Sequence, residues 1–95
     1  MVYGRSVVIV RNVGEHEATV DVGMMNASQF AWKGRLLPGE RVIRPARFSD
    51  NSFRINCRDI SGEYDHQGGY VTNGTPQLVT LTVNGCADVT IHIRR

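Results

Sequence analysis

The stretch that decides the fold is Gln77-Leu78-Val79-Thr80-Leu81-Thr82-Val83-Asn84-Gly85-Cys86-Ala87-Asp88-Val89-Thr90-Ile91-His92-Ile93. Val79, Leu81 and Val83 alternate with Thr80 and Thr82; beyond Asn84-Gly85, Ala87, Val89, Ile91 and Ile93 alternate with Asp88, Thr90 and His92. Successive side chains of a strand point to opposite faces, so alternation of period two marks a half-buried strand. Two such runs joined through Asn-Gly predict a hairpin. A two-residue turn would set Leu81 against Asp88, mixing core and solvent positions on one face. A three-residue loop of Val83, Asn84 and Gly85, with Gly85 left-handed, instead pairs Leu81 with Ala87 and Val79 with Val89. That register leaves Cys86 opposite Thr82, on the polar face at the tip.

The same alternation recurs upstream. Glu17 to Val22 sets Ala18, Val20 and Val22 inward, and Ser52 to Arg58 sets Phe53, Ile55 and Cys57 inward. Ser6 to Arg11 is apolar on both faces and reads as a strand covered on both sides. Gln29 to Lys33, Glu40 to Arg44 and Tyr70 to Thr72 are shorter strand candidates. Turn signals separate them at Asn12-Val13-Gly14, Leu37-Pro38-Gly39-Glu40, Ser49-Asp50-Asn51, Gly68-Gly69, Asn73-Gly74-Thr75-Pro76 and Asn84-Gly85. The nearest approach to a helical stripe, Met24 to Trp32, is bounded by Gly23 and Gly34 and predicts no helix. The expected fold is therefore all-β: a small two-sheet antiparallel β-sandwich of about seven strands.

Leu37-Pro38-Gly39-Glu40 followed by a short strand, then alternating strands closing on a C-terminal hairpin, resembles small immunoglobulin-like or transthyretin-like sandwiches in architecture. Trp32 precedes both cysteines, so the Cys, Trp, Cys order of true immunoglobulin domains is not met. The resemblance implies a fold and no function.

At 95 residues the chain has the length of one domain, spanning 1–95. Hydrophobic residues at 41% and charged residues at 21% give a folding mixture rather than a disordered one. The balance of 11 basic against 9 acidic residues is too mild to demand a nucleic acid or an anionic membrane as partner. The longest apolar run, Val7-Val8-Ile9-Val10, falls far short of the roughly 20 residues of a transmembrane helix. Met1-Val2-Tyr3-Gly4-Arg5 also lacks the apolar stretch of a signal peptide. Cys57 and Cys86 are the only cysteines. An even pair in a short β-rich chain suits one disulfide in an oxidising compartment, closing a loop of about 30 residues worth about 3.6 kcal/mol in chain entropy. The opposite faces derived for them suit two separate thiols; a hairpin tip able to fold over a sheet end suits the bond, which is the expectation here.

Chemistry-bearing motifs are sparse. No zinc, copper or phosphate-loop spacing is present, and neither GxSxG nor HExxH occurs. Asp59, Ser61, Glu63 and Asp65 alternate like calcium ligands, but Tyr64 stands at the sixth position, where a calcium hand needs Gly, and Val71 at the twelfth, where it needs Glu. The reading is no cofactor, no metal and no enzyme. Two sequons, Asn26-Ala27-Ser28 and Asn73-Gly74-Thr75, would matter only in a eukaryotic secretory origin.

Two binding surfaces are expected instead. Asp59 to Gly69 reads as a long solvated loop that Gly68-Gly69 allow to move, offering Tyr64, His66 and, just beyond, Tyr70 to a partner. Arg41, Arg44, Arg47, Arg54 and Arg58 cluster in the middle of the chain near several aromatics, with Arg54 and Arg58 as candidate contacts. The leading expectation is a non-enzymatic binding or assembly module, periplasmic or extracellular, whose partner is another protein or cell-surface component. The alternative is an intracellular single-stranded nucleic-acid-binding barrel using the central arginines. With nearby acids to neutralise the stripe, nucleic acid is the less expected partner.

Overall fold

A computed structural model of the chain describes residues 5–26, 28–72 and 76–94. Eight strands carry the described residues: β1 (Ser6–Asn12), β2 (Ala18–Met24), β3 (Trp32–Leu36), β4 (Arg41–Ala46), β5 (Asn51–Asp59), β6 (Gly62–Val71), β7 (Leu78–Val83) and β8 (Val89–Arg94). They form two four-stranded sheets in the orders β4-β1-β7-β8 and β3-β2-β5-β6, and no described residue is helical. No helix among the described residues is long and apolar enough to cross a membrane. Both sequons include residues outside the described ones.

Each alternating run supplies one inner face. Ala18, Val20 and Val22 from β2, Phe53, Ile55 and Cys57 from β5, and Val79, Leu81 and Val83 from β7 are each at most 1% exposed and form one core with Val8 and Val10. Burial of this apolar face is the main stabilising term, at about 25 cal/mol per Å² removed from water.

Four expectations change. The sandwich is not wholly antiparallel: β1 pairs with β4 antiparallel but with β7 parallel, so one sheet is mixed. Alternation fixes which residues face inward and is silent on strand direction, which is set here by a pairing between strands about 70 residues apart. Val8 and Val10 are buried, yet Val7 and Ile9 are only half-buried, so β1 is fully covered on one face. The third strand runs over Trp32–Leu36 and not from Gln29, because the Gln29 side chain is held by Ser49 and Asn51 in the preceding loop. In the last hairpin Leu81 pairs with Ile91 and Val79 with Ile93, across a loop closed by Asn84 and Asp88. Gly85 is left-handed as expected (φ 76°), but Asn84 N–H donates to Asp88 O and Asp88 N–H to Gly85 O, at 3.0 Å each. This larger loop shifts the partners by four residues, which preserves the inward parity, leaves Ala87 exposed and turns Cys86 into the core.

Candidate binding faces

The core is filled, so the surface a partner could use lies on the outer faces of the sheets and their connecting turns. The stretch expected as a mobile loop is neither long nor mobile in form: a short turn at Ile60-Ser61 leads straight into β6, which pairs with β5 from Asp59–Gly62 to Asn51–Val71. Asp59 builds that turn, its Oδ1 accepting the Ser61 amide at 2.8 Å and the Ser61 hydroxyl at 2.6 Å. The acidic alternation that mimicked a calcium loop is strand alternation. Glu63, Asp65 and Gln67 face out, opposite Arg58, Asn56 and Arg54, while Tyr64, His66 and Gly68 face in, opposite Cys57, Ile55 and Phe53. Among the described residues no group of three or more His, Cys, Asp or Glu is placed to hold a metal ion.

Gly68-Gly69 is not a hinge but a β-bulge, where the register shifts opposite Ser52 and Phe53. The inserted Gly69 (φ 66°) reverses the parity of the strand, so Val71 turns inward and Tyr70, 57% exposed, turns out. Tyr64 and His66 therefore lie on the inner side and Tyr70 on the outer, and the three do not form one surface. Tyr64 packs against the core, and its hydroxyl donates to Ser61 O at 3.3 Å.

His66 has a structural partner, its Nε2 lying 2.7 Å from Cys86 O. Asp59 Oδ2 accepts the Cys86 amide at 2.7 Å. Cys86 is thus held on both backbone groups and through its sulfur, in a disulfide to Cys57 with Cα atoms 5.2 Å apart. The hydrogen bond from the Ser61 hydroxyl, followed by that from the Cys86 amide, holds the Asp59 carboxyl below the ordinary carboxylate range.

The arginine cluster is divided by the fold. Arg54 and Arg58 stand on the outer face of the β3-β2-β5-β6 sheet, among Asp21, Glu63 and Asp65, where a polar depression of about 420 Å³ opens above Gly23 and Asn56. Asn56 Nδ2 donates to both Glu63 Oε2 (2.9 Å) and Asp65 Oδ1 (2.8 Å). Arg41 and Arg44 belong to β4, at the edge of the other sheet.

This division creates a charge segregation that the net charge conceals. Strands β2, β3, β5 and β6 carry Lys33, Arg35, Arg54 and Arg58 against Asp21, Asp59, Glu63 and Asp65. Strands β1, β4, β7 and β8 carry Arg11, Arg41, Arg44 and Arg94 and contain no Asp or Glu. The outer face of the mixed sheet holds a second shallow depression, of about 430 Å³, floored by Thr80, Thr82 and Thr90 and flanked by Arg11, Arg41 and Arg94. Arg11 Nε donates to Thr82 Oγ1 at 3.0 Å, which holds that guanidinium against the sheet.

No protein-family model matches the chain, and no curated protein matches it in sequence. Among solved structures it is similar to a protein from Eubacterium rectale determined by NMR, with 12% identity over 98% of this chain and 91% of that one, at a TM-score of 0.58. The membrane-binding domain of pneumolysin is also similar, with 11% identity over 96% of each chain and a TM-score of 0.46. At such identities the first likeness concerns the fold alone.

Proposed function

We propose that the protein is a small non-enzymatic binding module of an oxidising compartment, periplasmic or extracellular, which engages an anionic partner through the outer face of its mixed sheet. The carrying observation is the set of three arginines, Arg11, Arg41 and Arg94, on the outer face of four strands that contain no carboxylate. A surface of guanidinium, imidazole and hydroxyl groups is rich in donors and suits a ligand rich in acceptors. The disulfide supports the oxidising compartment, since such bonds persist where glutathione does not reduce them. The division of the arginines between two sheets weakens the single-stranded nucleic-acid reading, which relied on them acting as one stripe.

The test is retention on immobilised poly-L-glutamate, polyuronate, sulfated polysaccharide and single-stranded oligonucleotide at 150 mM salt, an ionic strength that screens nonspecific attraction. The parent should be retained on at least one. The pair Arg11→Glu and Arg41→Glu should abolish retention, and the pair Arg54→Glu and Arg58→Glu should not. Retention on none of the four, or equal loss in both pairs, would overturn the assignment.

A further inference from the structure

The register of the mixed sheet places its outward side chains in three rows. The first crosses the sheet as Pro45, Val7, Leu78 and Arg94; the second as Ile43, Ile9, Thr80 and His92; the third as Arg41, Arg11, Thr82 and Thr90. The first two rows thus set a continuous aliphatic patch over β4, β1 and β7, with Ile43 50% and Leu78 36% exposed. Arginines surround it. Arg11 and Arg41 close one end, Arg5 and Arg47 lie beside Pro45 at the other, and Arg94 stands along β8 beside the His92 imidazole.

From this arrangement, and resting on the function proposed above, we infer that the anionic partner is a polypeptide segment that interleaves acidic and aliphatic residues. An apolar centre with an arginine-rich rim is the anatomy of a protein interface, where guanidinium groups are enriched and buried aliphatic contacts supply affinity. Other anionic partners fit less well. The four strands contain no Phe, Tyr or Trp. Single-stranded nucleic acid needs aromatic platforms for its bases, and membrane interfaces favour Trp and Tyr anchors. A second copy docking by the same face would set arginine against arginine. The face measures only about 20 by 20 Å from strand spacing and rise, roughly half of what one partner buries in a standard interface. It is therefore sized for a segment.

The experiment is a two-dimensional NMR titration of the oxidised protein with a random glutamate–leucine copolypeptide, with poly-L-glutamate of equal length, with a single-stranded oligonucleotide and with vesicles containing 30% anionic lipid. The copolypeptide should shift resonances of β1, β4, β7 and β8 and bind at least tenfold tighter than poly-L-glutamate. The pair Ile43→Ser and Leu78→Ser, both at exposed positions, should erase that gain while leaving poly-L-glutamate binding and the melting temperature in place. Persistence of the gain in this variant, or tighter binding of oligonucleotide or vesicles at the same face, would overturn the partner class and leave the binding-module reading standing. No shift at this face with any of the four probes would overturn both.

Discussion

Asn12 shows how a single buried polar side chain can tie the two sheets. It is 1% exposed, and its Nδ2 donates to Leu36 O at 3.0 Å and His16 O at 2.8 Å while its Oδ1 accepts the Gly14 amide at 2.9 Å. Leu36 closes β3 in the opposite sheet, so the amide bridges the layers where the chain turns between them. The turn signal at Asn12-Val13-Gly14 was legible, but its long-range partner 24 residues away was not, because local sequence carries no record of what a turn packs against. Asn12→Ala strands two carbonyls and should cost about 2–3 kcal/mol. Denaturant midpoints of the two proteins measure it, and a change below 0.5 kcal/mol, the usual size for a surface substitution, would mean that water replaces the lost bonds. Two left-handed glycines separate strain from crowding. A Cβ at Gly85 meets nothing within 4 Å, whereas one at Gly69 would lie 2.5 Å from Ile91 Cγ2. Gly85→Ala should cost only the left-handed strain of about 1–2 kcal/mol, and Gly69→Ala about 1–3 kcal/mol more. Equal losses in thermal unfolding would show that β8 yields to the bulge.

The strands that could be read from alternation were those whose inward residues are mostly Val, Ile, Leu or Phe, with Ala18 and Cys57 beside them, as in β2, β5 and β7. Strand β6 has the same period with Tyr64, His66 and Gly68 inward, and so resembled a loop. Its apolar signal was missing because it is an edge strand whose inner face is covered by β8 and the disulfide segment and not by the centre of the core. The acids at every second position were the available clue, since a ligand loop and a half-exposed strand share that period. Of the candidate site only Arg41 stood in the arginine cluster read from the sequence; Arg11 and Arg94 lie far from it along the chain, and the register that brings the three onto one face leaves no local signal. The turn that joins β5 to β6 also carries a pH dependence. The Asp59 carboxyl is held below its ordinary value by the hydrogen bond from Ser61 and then that from the Cys86 amide. A depressed native value contributes stability that is complete above the unfolded value of about 3.9 and fades as pH falls through the lower native one. Asp59→Asn should therefore flatten the acid limb of the stability curve below about pH 4. Denaturant midpoints taken from pH 7 to pH 2 test this, and an unchanged acid limb in the variant would assign the dependence to other carboxylates.

At the scale of the whole molecule, two thin sheets with extents of 39 × 25 × 18 Å depend on a link between them. The Cys57–Cys86 bond spans 29 residues and joins β5, in the middle of the antiparallel sheet, to the loop that leads into β8 of the mixed sheet. Chain entropy assigns a loop of this length about 3.6 kcal/mol. A domain this small has a stability of about 5–15 kcal/mol in all, so that single bond accounts for a large share. Both sulfurs sit in residues that are 0% exposed, with Cys86 further held by Asp59 and His66. Reduction therefore removes the constraint on the unfolded chain and also leaves two thiols to be accommodated in a core packed around a bond. The intact mass of the native protein should lie about two daltons below that of the reduced chain, and reduction should lower the melting temperature by at least about ten degrees. Cys57→Ala with Cys86→Ala should reproduce most of that drop without any reductant, which separates loss of the bond from side effects of the reagent. Two titratable thiols in the native protein would refute the bond itself, and an unchanged melting temperature in the double variant would place the link between the sheets in Asn12 and the shared core instead.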